Sequence, residues 1–389
     1  MRRLPKFIML FSVFSLLLFI YACEKKTTTL SYPKLEPPSS VLSYIFQKGT
    51  EGYSCFRIPA LVKTKTGTLL AFAEGRKNDC GDEGDIDLVY RRSTDSGKTW
   101  SKLSVIWSDG ANTCGNPAPV VDENTGKIYL LMSWNNGSDD IGAINAGTSK
   151  NTRRAYVTSS SDDGVKWETP KEITSTVKLS NWGWYATGPC HGIQLKIGAY
   201  KNRLVVPCDY IEVGANRRGS SHIIYSDDAG ANWKLGGTVP LNGALNPNEC
   251  SVAELSDGRL VLNMRVGGNQ NQRVYSTSSD GGLTWSSMEQ APQLVDPVCQ
   301  GSITAASTSN GYALLFSNAA STSRKNMTIK MSLDNGINWT KQKQIFSGPS
   351  GYSDLIMLSS TKAALLFEAG VGAYTDGIAF KMVDISEIK

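Results

Sequence analysis

The sequence predicts an all-β chain, arranged as a six-bladed β-propeller. Two observations carry this. Five segments share the pattern Ser-x-Asp-x-Gly-x-x-Trp: STDSGKTW (93–100), SSDDGVKW (160–167), SDDAGANW (226–233), SSDGGLTW (278–285) and SLDNGINW (332–339). Six apolar runs follow turn residues: GTLLAFAEG (67–75), GKIYLLMSW (126–134), NRLVVPCDY (202–210), GRLVLNMR (258–265), GYALLFSN (311–318) and KAALLFEAG (362–370).

Each five-fold segment reads as a hairpin turn. Asp accepts bonds from turn amides, Gly takes a positive φ, and Trp packs on the unit. Successive segments are 67, 66, 52 and 54 residues apart. One match is weak, but five in register mark a repeat architecture. Five of the six apolar runs precede such a turn, and the sixth leads into DGIAFKMVD and the last residues. Short apolar runs bounded by turns, with no long helical period, read as strands. Six units of roughly 50–75 residues suit propeller blades better than the shorter repeats of a linear β-solenoid. The expected domain covers 45–389. Ring closure otherwise leaves exposed edges, so strands from both ends should complete one blade.

The first residues read differently. Arg2, Arg3 and Lys6 precede an almost wholly apolar run of 16 residues, 7–22. A membrane span needs roughly 20 residues, so the run reads as an export signal. It ends at Ala22-Cys23, as a bacterial lipoprotein signal does. Removal of 1–22 and acylation of Cys23 are expected, with the protein held on a bacterial membrane, in the periplasm or at the cell surface. The alternative is an ordinary signal peptide that contains a cysteine. Residues 23–44, beginning CEKKTTTLSYPKLEPPSS, have no apolar period and read as a tether.

Composition narrows the partners. The formal charge of +5 falls to +2 once the leader's three cations are removed. No basic block suits a phosphate backbone, so nucleic acid is a poor candidate partner. Beyond Cys23 stand Cys55, Cys80, Cys114, Cys190, Cys208, Cys250 and Cys299, with no CxxC pair. Export permits disulfides, but seven cysteines cannot all pair within one chain. His191 and His222 give no zinc signature. Neither a metal nor an organic cofactor is expected.

Three arginines sit at or beside apolar stretches: Arg57 in CFRIPAL, Arg265 ending GRLVLNMR, and Arg324 in STSRKNM. A propeller brings strand ends to one central face. Converging guanidiniums there are costly without an anion, and their planar forks suit a carboxylate. Surface or inter-blade arginines are the plain alternative.

At this point the chain resembles the bacterial exo-α-sialidases, or neuraminidases. FRIPAL is similar to the family's Tyr/Phe-Arg-Ile-Pro motif, and the five turns are similar to its Asp boxes. LLAFAEGR, NPAPVVDENTGKIYLLMSW, GPCHGIQL and NECSVAEL also resemble family segments, in family order, over about residues 50–385. The resemblance implies that Arg57, Arg265 and Arg324 grip the carboxylate of sialic acid, with Arg76 of AEGR near the pocket edge. It implies Tyr352 of SGYSDL as nucleophile and Glu249 of NEC as its base. Glu254 competes for the base role, but strand alternation places it on the opposite face. Nearby arginines should favour phenolate character at Tyr352.

The acid/base is expected in the loop RKNDCGDEGDIDLVYRR, 76–92. Asp82 is the match, with Asp85 and Asp79 behind it, and a calcium loop is the alternative for so many acids. For the N-acetyl recess the candidates are Asn116, Trp134, Trp182, Trp184 and Tyr185, of which Asn116 and Trp134 are preferred; His191 is expected to be structural. The partners implied are sialylated glycans, glycoproteins or glycolipids, with membrane contact through the lipid anchor only. A propeller that binds sialic acid without catalysis is one alternative. Transfer to another sugar, or intramolecular release of an anhydro product, is the other.

Overall fold

All six apolar runs fold as strands, each the second of a four-stranded antiparallel unit. They are Leu69–Arg76, Ile128–Asn135, Leu204–Glu212, Leu260–Val266, Gly311–Ala319 and Lys362–Ala369. The computed structural model describes residues 42–215, 217–243, 245–268, 270–308 and 311–389. The expected leader, Cys23 and nearly all of the tether lie outside the described residues. Residue 44, expected to end the tether, already belongs to a strand.

The all-β class holds. The first strands of the units are Cys55–Lys63, Thr113–Val121, Trp182–Thr187, Pro247–Glu254, Ser302–Thr308 and the second part of Lys341–Met357. Strand pairing gathers the units into four sheets. The first two join through one parallel pair, Ile86 with Thr113. The last two join because Lys341–Met357 is long enough to serve both: its first part pairs with Lys325–Ser332 and its second with Lys362–Ala369. Tyr44–Gln47 pairs with Gly377–Asp384 and completes the last unit from the other end of the described chain. Among the described residues no helix is long and apolar enough to cross a membrane.

The repeated turns hold their units by one device. In the first, Ser93 Oγ donates to Asp95 at 2.8 Å and accepts from Gly97 N at 2.8 Å, while Asp95 accepts from Thr99 N at 2.9 Å. The same Ser–Asp–Gly contacts recur at Ser160, Ser226, Ser278 and Ser332. Apolar side chains fill the space between units. One core runs from Phe56 and Leu61 to Leu366 and Phe380, so the first unit packs on the last.

Candidate active site

Five of the first strands break register near one end. The breaks fall at Arg57/Ala60, Gly115/Ala118, Trp182/Tyr185, Pro247/Cys250 and Ser350/Ser353. A bulge leaves a residue unpaired and re-aims its side chain. The residues at or within these breaks are Arg57, Asn116, Trp184, Glu249 and Tyr352. The apolar alternation that builds the strands is therefore interrupted where the polar residues gather.

Tyr352 is the centre. Its phenol donates to Glu249 Oε1 at 2.5 Å. Arg265 Nη1 donates to Glu249 Oε2 at 2.6 Å and to the Tyr352 oxygen at 3.1 Å. The Arg57 and Arg324 guanidinium carbons lie 5.0 and 5.5 Å from the Tyr352 ring centre. All three triad arginines thus surround one phenol. Burial, and then Glu249, push that phenol well above its usual range; Arg265 and Arg57 pull the other way without offsetting them. The expectation of phenolate character is corrected: without ligand, Tyr352 holds its proton. Glu249 stands where it can accept that proton.

A buried glutamate that sequence reasoning missed organises this group. Glu368 is fully buried. It accepts from Arg57 Nε at 2.7 Å, Ile58 N at 3.1 Å and Tyr352 N at 3.0 Å. One carboxylate thus fixes Arg57 and the backbone of Tyr352 together. Gly351 is required beside it, because a Cβ there would lie 2.3 Å from Glu368 Oε2. Tyr374 completes the setting, its ring 5.4 Å from the Arg57 guanidinium and 4.9 Å from that of Arg324. Among the described residues Arg324 has no ion-pair partner within 4.0 Å, which leaves it free for an anion.

The device repeats around Asn116. Glu74 accepts from Asn116 N at 2.7 Å and binds Arg76 through Nη2 at 2.6 Å. Gly115 is required there, since a Cβ would meet Glu74 Oε1 at 2.2 Å. Asn116 also receives a hydrogen bond from the fully buried Arg153, whose other nitrogen donates to Asn135 at 2.7 Å. A guanidinium has no acceptor, so Asn116 must turn its oxygen towards it. Its amide nitrogen then remains available as a donor. Arg153 stacks on Trp184 at 3.8 Å, and burial lowers its pKa to about 10.

Asp82 stands on the loop between Leu69–Arg76 and Ile86–Ser93, its side chain 68% exposed. Arg76 Nη1 donates to it at 2.7 Å, and Arg57 Nη1 lies 3.9 Å away. The surrounding walls withdraw some water and so oppose ionisation, but Arg76, and then Arg57, outweigh this and hold the carboxyl below its ordinary range. Three other acids of the loop are engaged elsewhere. Asp79 accepts from Gly81 N at 2.6 Å, while Asp85 and Asp87 pair with Lys77 at 3.0 and 3.1 Å. Among the described residues no cluster of acids, histidines and cysteines fits a metal ion. A disulfide joins Cys55 to Cys80, and the five other described cysteines are free and buried.

Other candidates lie elsewhere. Trp134 donates to Asp109 at 2.8 Å and packs with Phe72, Tyr90 and Trp107. It alternates with Asn135, which faces Arg153, so strand geometry takes it away from Asn116. Trp184, the weaker candidate in the sequence, is the tryptophan that joins this cluster. Trp182 stacks on Tyr210 at 3.7 Å in the core, where Tyr185 is also buried. Glu254 caps Lys196 N and Ile197 N at 2.8 and 2.9 Å. It lines a cavity of about 620 Å³ with His191, which bonds Asp354 at 2.7 Å; none of Tyr352, Glu249, Asp82 or the triad lines that cavity. Asp209, near Glu249, is fully buried with Oδ2 unpartnered. Burial, and then Glu249, push its carboxyl well above the usual range. The signal for Glu74 and Glu368 was present: each is a carboxylate closing an apolar strand, in AFAEG and LFEAG.

Residues 67–365 match the BNR repeat-like domain family. The chain is 32% identical over 362 residues to a sialidase of Bacteroides fragilis, covering 87% of this chain and 64% of that protein. It is 33% identical over 344 residues to an exo-alpha-sialidase of Arthroderma benhamiae, covering 82% and 79%. A solved Hadza microbial sialidase superposes with a TM-score of 0.81 at 32% identity, covering 90% of this chain and 69% of that one. With repeats, bulged site residues and relatives in agreement, the chain belongs to the sialidase family.

Proposed function

We propose that this protein is a retaining exo-α-sialidase that hydrolyses terminal α-linked sialic acid from glycoconjugates. The observation that carries this is the Tyr352–Glu249 hydrogen bond set among three arginines. Sialic acid bears a carboxylate on its anomeric carbon. An anionic nucleophile would be repelled by it, whereas a neutral phenol is not. The phenol is a weak nucleophile, so it needs an adjacent base.

Arg57, Arg265 and Arg324 hold the substrate carboxylate. Tyr352 attacks the anomeric carbon while Glu249 takes its proton, and Asp82 protonates the departing glycosidic oxygen. Asp82 then activates water, which displaces the sugar from Tyr352. Two displacements retain configuration. Arg76 orients Asp82, and Asn116 offers its amide donor to the substrate. The bound carboxylate offsets the positive field of Arg57, weakening one of the influences that keep Asp82 ionised, so binding prepares it to hold a proton.

In this reading the six units are propeller blades. Tyr44–Gln47, completing the last unit, supports ring closure. The Ala22-Cys23 ending supports export and a lipid anchor on a bacterial membrane, with sialylated glycans, glycoproteins or glycolipids as partners.

The test is fluorescence release from an α-linked sialic acid aryl glycoside by the full chain, beside Tyr352→Phe and Asp82→Asn. Wild-type release with a loss of orders of magnitude in Tyr352→Phe supports the assignment. Silence of wild type across pH 4–8, with sialic acid still bound, would sink hydrolysis and leave a binding protein.

A further inference from the structure

We infer that the Cys55–Cys80 disulfide positions Asp82 for proton transfer, making the acid/base step of this site sensitive to thiol reductants. This rests on the role proposed for Asp82 above. The placement is specific. Cys55 opens the strand that carries Arg57 and lies opposite Arg76 in register. Cys80 is two residues before Asp82. Among the described residues it is the only disulfide, and it ties the loop of the proposed acid to the strand of a carboxylate-gripping arginine.

Besides this bond the loop is anchored at its two ends, where Ser54 Oγ donates to Lys77 O at 2.7 Å and Thr113 Oγ1 to Gly84 O at 3.0 Å. Residues 77–85 pair with no strand. Lys77 N bonds Asp85 O at 3.0 Å and closes the base, not the tip. At the tip, Arg76 Nη1 faces three acceptors: Cys80 O at 2.6 Å, Gly81 O at 2.7 Å and Asp82 Oδ1 at 2.7 Å. One such nitrogen carries two hydrogens, so it cannot serve all three at full strength. The covalent bond supplies the position that the divided guanidinium cannot.

Reduction is a balanced two-electron exchange. A dithiol thiolate attacks one cysteine sulfur and releases the other, its second thiol then displaces the first cysteine from the mixed disulfide, and the products are two cysteine thiols and the oxidised dithiol. The freed loop then presents Asp82 less accurately to the leaving oxygen. The consequence depends on the leaving group, because an aryl alcohol departs with little protonation and a sugar alcohol does not.

The experiment compares the full chain with Cys80→Ser, and wild type before and after dithiothreitol. It measures kcat/KM on an aryl sialoside and on a sialylated disaccharide, with thermal unfolding followed alongside. Losing the bond should lower kcat/KM on the disaccharide about tenfold or more and on the aryl substrate less than about threefold. In an Asp82→Asn background the extra disaccharide loss should disappear, and hydrogen exchange across 77–85 should quicken on reduction. Equal losses on both substrates, a loss that persists without Asp82, or unchanged exchange in the loop would overturn the inference and leave an ordinary stabilising crosslink. If wild type cleaves neither substrate, the functional proposal itself fails, and this inference falls with it.

Discussion

The Glu249 carboxylate accepts a 2.5 Å hydrogen bond from the Tyr352 phenol across 103 residues of sequence. Neither residue is useful alone: the phenol is held protonated by burial, and the carboxylate needs a proton to take. Glu249→Gln and Tyr352→Phe should each lower kcat by on the order of 10²–10⁴-fold. The double variant should be little worse than the poorer single, because the two act as a unit. Additive losses in kinetics on the aryl sialoside would contradict the pairing.

Glu368 neutralises Arg57 inside the protein and holds two backbone amides. Glu368→Gln keeps the volume and removes the charge. An uncompensated buried arginine costs about 3–5 kcal/mol, so urea unfolding should show a loss of that order, together with lost activity. Full stability in Glu368→Gln would mean that Arg57 finds another anion.

The turn aspartates make stability fall in acid. Hydrogen bonds from Thr99 lower Asp95 from 3.8 to about 2, and the Asn232 side chain leads the lowering of Asp228 to about 2. Because the folded pKa is depressed, the native state binds fewer protons than the unfolded chain. The contribution is complete above about pH 4 and is lost as pH falls towards 2. Melting temperature measured from pH 5 to 2 should drop through this window, and Asp228→Asn should flatten the drop.

Asp209 has the opposite sign. Burial raises its folded pKa, so the native state keeps a proton that the unfolded chain releases, and stability declines as pH rises above about 4. Asp209→Asn removes that titration. It should raise Tm at pH 7 by about 1–2 °C, the shift expected from roughly 1 kcal/mol in a domain of this size, with a smaller gain at pH 4. A variant destabilised equally at both pH values would show that the carboxyl is ionised and satisfied.

Much of the fold was legible because its rules are local. A turn with Ser, Asp and Gly at fixed offsets bonds itself, and a strand between two packed neighbours must be apolar. Short motifs singled out Arg57, Tyr352, Glu249 and Asp82, which the fold brings together. Trp134 was misjudged because its place in a family-like segment said nothing of which strand face it occupies. Trp184 was underweighted because its role depends on Arg153, 31 positions away.

The sequence by itself determined the all-β class, the strands and turns of the repeat, and the arginines, tyrosine and carboxylates that the fold gathers. Only the tertiary structure decided that Glu368 would reach Arg57 across 311 residues, that Arg153 would turn Asn116, and that Cys55 would pair with Cys80. The reason is physical. Periodicity records how each residue meets its neighbours along one strand. Convergence of a site depends on where bulges break that period and on which strand ends the packed units bring together.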